Sequence, residues 1–394
     1  MKAIVKPGLL LWARESAGLD RQQAASKIRV KGERLASWEV GRSRPTVIQL
    51  RNLARVYRRP LAVFYLPEPP KEFDALRDFR RLPGEVAGQQ SAELRFAVRW
   101  AHYRRAVALD LYRDLGETPL EFPLRARLSA DPEQLAVRIR ARLGISYDRQ
   151  TSWTGPYLAL NSWRSALEGL GVLVFQARGV DVSEMRGFSI GDRPLPAVVL
   201  NIKDSPRGRV FTMLHELVHL ALGQGGLCDL DEDSWRPATE QAVEVFCNTV
   251  SGAILVPTDC LLREQVVVAA DGPVEWANSQ IATLAGRYQV SWEVVLRRLL
   301  IAGRATDEFY RAKRRELIQY YEQKRRKTSP GYASPPKIAL STVGQHFARL
   351  VLNSYYQEKI TARDVSDFFG VRLKHLAKIE EQVVGQSFGT GAEL

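Results

Sequence analysis

The stretch Phe211-Thr-Met-Leu-His215-Glu216-Leu-Val-His219-Leu-Ala-Leu222 constrains this chain more than any other. Its apolar residues recur so densely that a helix here would be hydrophobic nearly all round, which places it at the centre of a domain. Two histidines and a glutamate therefore sit where apolar side chains would cost less. On a helix, His215 and His219 lie one turn apart on the same face, so both imidazoles can reach one ion, with Glu216 beside them. A zinc ion held in this way keeps a position open for water and lowers that water's pKa toward ~7. The neighbouring carboxylate can then take the proton as the water attacks an amide carbonyl, which is the HExxH arrangement of a metallopeptidase. The competing reading is a pair of hydrogen-bonded core histidines. The chain has only five histidines (His102, His215, His219, His346 and His375), and two of them stand one turn apart here.

A chain of 394 residues with 45% hydrophobic content is long enough for more than one domain, each with its own core. No apolar run reaches the ~18 residues of a membrane span, and the opening Met1-Lys-Ala-Ile-Val-Lys-Pro7 is too short in apolar length for a secretory signal. Three cysteines (Cys228, Cys247 and Cys260) do not make a disulfide scaffold, so a reducing, cytoplasmic setting is expected. The net charge of +13 makes a polyanionic partner plausible.

Residues 8–66 read as short helices separated by turn signals: Leu9 to Ala17, then Arg21 to Ile28 with Asp20 as N-cap, Lys31 to Val40, and Thr46 to Tyr57. Several short basic helices in sixty residues suggest a helix-turn-helix. The segments Leu11-Trp12-Ala13-Arg14, Gln23-Ala24-Ala25, Trp38-Glu39-Val-Gly41-Arg42-Ser-Arg44-Pro45-Thr46 and Gln49 to Ala54 resemble the XRE, phage-repressor-like family. That resemblance makes Lys31 to Val40 the recognition helix, with Lys31, Arg34, Ser37, Arg42 and Arg44 as candidate DNA contacts. Residues 1–70 hold 14 basic and 5 acidic residues, an excess of nine, which meets the need for phosphate contacts. Base readout is thinner, because Gly32 reads nothing and phosphate repels Glu33 unless it accepts from a cytosine amino group. The alternative is a helix-turn-helix kept for docking or dimerisation.

Pro67-Glu-Pro69-Pro70 closes this unit, and residues 71–150 read as a helical connector. Within it, Ser91 to Leu115 interleaves Arg95, Arg99, Arg104, Arg105 and Arg113 with Phe96, Trp100, Tyr103 and Leu111. Such a pattern fits a solvated arginine face over an aromatic core stripe better than a second nucleic-acid surface. Pro132 opens a further helix through Leu143.

The expected catalytic domain covers 151–305. Leu160 to Gly169 is helical, and Val172 to Phe175, Gly187 to Ile190 and Pro196 to Asn201 are short strands, with Val198 to Asn201 as the candidate edge for an extended peptide. Gly223, Gly225 and Gly226 close the histidine helix. After an acidic loop (Asp229, Asp231, Glu232 and Asp233), a helix from Pro237 carries Glu240 and Glu244 on one face, and spacing alone does not choose between them as the third ligand.

From Leu160 to Pro257 the chain resembles the ImmA/IrrE family of zinc metallopeptidases, in Asn161-Ser-Trp163-Arg164-Ser-Ala-Leu-Glu168, Met185-Arg-Gly187-Phe188, the histidine helix, Gly226-Leu-Cys228-Asp229, and Glu244-Val-Phe-Cys247-Asn248 with Leu255-Val-Pro257. The resemblance implies a zincin-like domain with a short sheet, His215, His219 and Glu244 as metal ligands, Glu216 as base, and zinc or manganese as the ion. Asn248 and Glu240 are candidates for supporting the ligands, Asn248 by fixing the Glu244 carboxylate. Cys247 departs from the more usual alanine and shares a face with Glu244, so it is either a small buried side chain or a thiol near the metal. Tyr157, Tyr288 and Arg186 are unranked candidates for stabilising the oxyanion.

Residues 306–394 read as helical, with Leu340 to Tyr356 and Thr361 to Val383 as the last helices and Gly385 to Leu394 frayed. The expected fold is multidomain and mainly α: a helix-turn-helix over 1–70, a connector over 71–150, a small α+β peptidase domain over 151–305, and a helical C-terminal region. The expected function is a zinc endopeptidase and transcriptional regulator that cuts an XRE-type repressor or antitoxin. It would bind DNA through the first domain, with no membrane partner, and is compatible with a homodimer. The alternatives are a regulator whose metal fold senses without cleaving, and the toxin of a toxin–antitoxin pair.

Overall fold

The computed structural model describes residues 1–70, 91–223, 226–228, 238–270, 272–325 and 334–388, in two compact units, Met1–Trp100 and Ala101–Leu394. The expectations for the connector's first twenty residues, Gly225, the acidic loop, Pro237 and the last six residues fall outside the described residues. Among the described residues no helix is long and apolar enough to cross a membrane.

The first unit holds α1 (Pro7–Ser16), α2 (Arg21–Ile28), α3 (Gly32–Glu39), α4 (Val47–Val56), a 3-10 turn at Leu61–Tyr65, and the start of α5 (Ala92–Leu115). Caps fix these helices. Asp20 accepts from the Gln23 amide at 2.7 Å while Gln23 accepts from the Asp20 amide, and Thr46 and Gln49 repeat the exchange at the start of α4. Arg29 ends α2 in the left-handed conformation at φ 59° and turns the chain into α3, so the helix-turn-helix follows from one residue's backbone. Leu10, Ala13, Leu35, Trp38, Leu50 and Leu53 form the core. Inside it, the Glu39 carboxylate accepts from Arg14 Nε at 2.6 Å and Arg21 Nε at 3.3 Å, and Arg14 also donates to the Leu19 carbonyl at 2.9 Å.

The arginines of α5 differ from expectation. Most of them donate to carbonyls inside their own unit and form no solvated face. Arg95 reaches Glu15 O, Arg99 reaches Tyr57 O, and Arg105 reaches Asp192, Pro194 and Leu195. Arg104 is buried over the Phe347 ring, and Arg113 alone of the five lies well out in solvent.

The second unit continues with α6 (Pro132–Leu143), α7 (Tyr147–Thr151), α8 (Pro156–Glu168), β1 (Leu173–Ala177), β2 (Gly187–Ile190), β3 (Ala197–Asn201), α9 (Pro206–Ala221), β4 (Gly226–Cys228) and α10 (Ala238–Leu255). After two single helical turns come α11 (Asn278–Tyr288), α12 (Trp292–Ile301), α13 (Asp307–Arg325), α14 (Pro335–Val343), α15 (Gln345–Tyr356), α16 (Ala362–Phe369) and α17 (Leu376–Phe388). The sheet order is β1-β3-β2-β4, with β1 and β3 parallel and the other pairs antiparallel. Strand β3 is therefore interior, and Val198 to Asn201 is no edge. All five of its residues are buried, as its unbroken apolar run requires of a strand covered on both faces. The edges are β1 and β4. Strand β4 follows from glycines read above as turn residues alone.

Helix α9 packs against β2 and β3 and against α8 and α10. One apolar core takes in Leu135, Ile139 and Leu143 of α6 as well as Tyr310 and Leu317 of α13, so part of the connector and of the C-terminal region folds into the domain that holds the histidines. The two long helices expected near the end are each divided. Gly344 (φ +84°) separates α14 from α15, because a Cβ there would lie 2.7 Å from Val174 O, and Gly370 (φ +66°) caps α16.

Removing the Glu39 carboxylate strands Arg14 in the first core, at a cost of about 3–5 kcal/mol. In Glu39→Ala, amide exchange across α1–α4 should speed by about two orders of magnitude or more, with α9 and α10 unchanged. Unaltered protection in α1–α4 would show that the pair does not hold the unit.

Candidate metal centre

Helix α9 starts where Ser205 Oγ accepts from the Gly208 amide at 3.0 Å and Pro206 occupies the first turn. Two turns later its residues Thr212 to Ala221 are all buried, His215 and Glu216 completely. Helix α10 brings Glu244 against the same face. His215 Nε2 lies 3.1 Å from Glu244 Oε2, His219 Nε2 lies 3.4 Å from Glu244 Oε1, and the two Nε2 atoms are 3.1 Å apart. Among the described residues this is the one group of three such side chains able to hold a metal ion.

The electrostatics favour a cation between them. Burial lowers the His215 pKa, so the ring stays neutral and offers a lone pair. Burial alone would raise the Glu244 pKa, but hydrogen bonds from His215 and His219 outweigh it and hold the carboxylate well below its usual range. Donors about 2.0–2.1 Å from a tetrahedral ion stand about 3.3 Å from one another, which is the spacing found here, and two imidazoles with a carboxylate suit zinc. The three donors fit the ion and leave its fourth corner open.

Glu216 lies beside this cluster and reaches toward the sheet. Its Oε1 is 3.8 Å from the point where a side chain on Gly187 would begin, and that same Cβ would crowd Thr212 Cγ2 and lie 2.9 Å from Val199 O. Only glycine lets β2 approach α9 this closely. An isolated glycine inside a strand pattern is the signal that could have found this contact from sequence.

The other site expectations divide. Asn248 is buried and hydrogen-bonds His215, which puts it against the ligand set. Glu240, one turn before Glu244, is exposed and outside the three-residue cluster, since the first turn of α10 points to solvent. Cys247 is buried and hydrogen-bonds His219, and burial pushes its thiol pKa up, so it is a protonated neighbour of the ligand set. Tyr288 sits in a separate network with Tyr147 and Glu264, Arg186 pairs with Asp204 at 3.7 Å, and Tyr157 is exposed beneath the Arg209 guanidinium. Phe211 was not singled out as a site residue, yet its ring lies 6.3 Å from that of His215.

In the first unit Lys31, Arg34, Arg42 and Arg44 are exposed on and after α3. Ser37 is half-buried, donates to Arg34 O at 2.7 Å and shares a contact with Ser43 Oγ, so its hydroxyl is engaged within the protein.

Residues 10–64 match the family described as helix-turn-helix, and residues 167–300 match the family described as IrrE N-terminal-like domain. The second match contains His215, Glu216, His219 and Glu244. No curated protein matches the chain.

Glu244→Ala should leave the purified protein with little bound metal by elemental analysis. Asn248→Ala should weaken metal retention about 10–100-fold in a chelator competition, and Glu240→Ala should do neither. Equal effects of Glu240 and Glu244 would sink this assignment. Gly187→Ala should cost about 1–3 kcal/mol in chemical unfolding.

Proposed function

We propose that this chain, which joins a helix-turn-helix domain to an IrrE-type metallopeptidase-like domain, is a DNA-binding regulator that cuts a protein substrate at the centre formed by His215, His219 and Glu244. The observation that carries the proposal is the convergence of two buried histidines and the half-buried Glu244, with the buried Glu216 alongside. A sensor needs a pocket or a ligand set, but it has no need of a further carboxylate beside the metal.

His215, His219 and Glu244 would hold a zinc or manganese ion, which would supply Lewis acidity when bound. His215 contributes a neutral nitrogen and His219 the second ring donor, with Asn248 hydrogen-bonded to the first and Cys247 to the second, so the donor geometry is set before any substrate arrives. Glu216 accepts the proton of the attacking water and passes it to the leaving amine, and the close approach of Gly187 keeps its carboxylate from swinging toward the sheet. The dense apolar packing of α9 keeps bulk water out behind the ligands, which strengthens each of these interactions.

The substrate class we propose is an XRE-type repressor or antitoxin. The helix-turn-helix supports this, because a peptidase tethered to operator DNA meets DNA-bound repressors at a raised local concentration. Lys31, Arg34, Arg42 and Arg44, all exposed, are the proposed phosphate and base contacts.

Co-expression with a candidate XRE-type protein, read by intact mass, tests the reaction. Glu216→Gln should slow truncation by at least about 100-fold while metal content and DNA affinity persist. Truncation at the original rate in that variant would refute the proposed base. Arg42→Ala with Arg44→Ala should weaken binding to all DNA sequences alike and lower the salt dependence.

A further inference from the structure

The segment that leads into α6 runs across the end of α9. Its Ala126 amide donates to Ala221 O at 2.8 Å, closing one of the carbonyls left open where the histidine helix stops. Burial along it alternates: Phe122 and Leu124 are in the core and Ala126 is half-buried, while Pro123, Arg125 and Arg127 are exposed. That alternation is that of an extended chain, so Arg125 and Arg127 leave on one side, about 7 Å apart. With Ser129, Ala126, Ala130 and Arg138 of α6 they line a cleft of about 600 Å³.

Three guanidinium groups around one cleft repel each other unless something anionic answers them. Arg127 and Arg138 make no ion pair among the described residues. Arg125 has only an exposed partner, Glu121 at 3.9 Å, which is worth little. Asp131 is engaged as the cap of α6, accepting from the Gln134 amide at 2.8 Å, and Glu133 pairs with Arg298 at 2.7 Å.

We propose that this cleft is a docking site for an acidic, extended segment of the protein substrate, apart from the bond that is cut. The occupant rests on the peptidase reading above. An extended peptide presents every second side chain on one side at the same ~7 Å repeat, so alternate carboxylates meet Arg125 and Arg127 in register while Arg138 closes the far wall. Among the described residues no aromatic ring lines the cleft, whereas grooves for single-stranded nucleic acid stack bases on aromatic side chains. Its attachment to the last turn of α9 puts it about 9 Å along the helix axis from His215, within the reach of one short peptide.

Fluorescein-labelled deca-glutamate, titrated into the full chain carrying Glu216→Gln, tests this without any cleavage. Arg125→Glu, Arg127→Glu and Arg138→Glu together should weaken binding at least about tenfold, and the equal charge change Arg372→Glu, Lys374→Glu and Lys378→Glu less than about threefold. Arg127→Gln alone, expected to lose about threefold, serves if the triple variant fails to fold. Equal losses in both triples would reduce the cleft to general surface charge and overturn the proposal. Loss of affinity for a duplex oligonucleotide with peptide binding intact would overturn it in favour of nucleic acid. Cleavage is read separately: if the chain with Glu216 intact truncates no XRE-type protein, the peptidase reading falls and the peptide affinity stands on its own.

Discussion

Everything in the second unit answers to one constraint, that three lone-pair donors face one another at 3.1–3.4 Å against an apolar core. Without a cation between them, two imidazoles and a carboxylate so close would leave polar groups poorly satisfied, at a cost of about 1–3 kcal/mol each. The surrounding helices must therefore hold against that cost. Helix α9 does so by burying residues on every side, and α10 by packing Phe246, Val250 and Ile254 into the same core that takes Leu214 and Leu217. The stiffness the chemistry needs is thus a property of apolar packing.

A second buried polar group extends this rigidity to the C-terminal helices. Arg164 and Glu168, one turn apart on α8, pair at 3.2 Å in full burial, and Arg164 donates to Val174 O of β1 and to Ser341 O of α14. Glu168 accepts the His346 amide at 3.1 Å, and the His346 ring meets Tyr112 OH of α5 at 2.7 Å. Gly344 passes through this network with no room for a side chain. The C-terminal helices are consequently locked to the sheet by charge-assisted bonds as well as by Phe347 edge-on to Phe175. This gives a physical reason for the pairing of Trp163-Arg164 through Glu168 with Gly344-Gln-His346 in one sequence.

Local signals were the most legible part of the chain. Asp20 caps the helix that its spacing announced, Thr46 and Thr361 stand where their expected helices begin and cap them, and the histidine helix runs over the apolar stretch that defined it. What sequence could not carry was anything set by partners distant along the chain. The choice between Glu240 and Glu244 is made by how α10 rotates against α9, the central place of β3 by its pairing with both β1 and β2, and the role of Asn248 by where the His215 ring comes to lie. The arginines of α5 looked like a surface stripe because periodicity is blind to carbonyls supplied by loops some ninety residues away, which is where Arg105 finds its acceptors.

The position of Gly187 joins the sheet to the chemistry. Strand β2 stands between β3 and β4, and a Cβ on its first residue would lie 3.8 Å from Glu216 Oε1. A side chain there would push β2 off α9, and because β2 pairs with β3 from Gly187 to Ile190, the displacement would reach the strand on which α9 itself rests. The carboxylate would then gain room on the side away from the ligands, where it could turn without meeting the water it is proposed to deprotonate. A short glycine-led strand thus does for Glu216 what α10 does for the two histidines, since each fixes a polar group by denying it anywhere else to go.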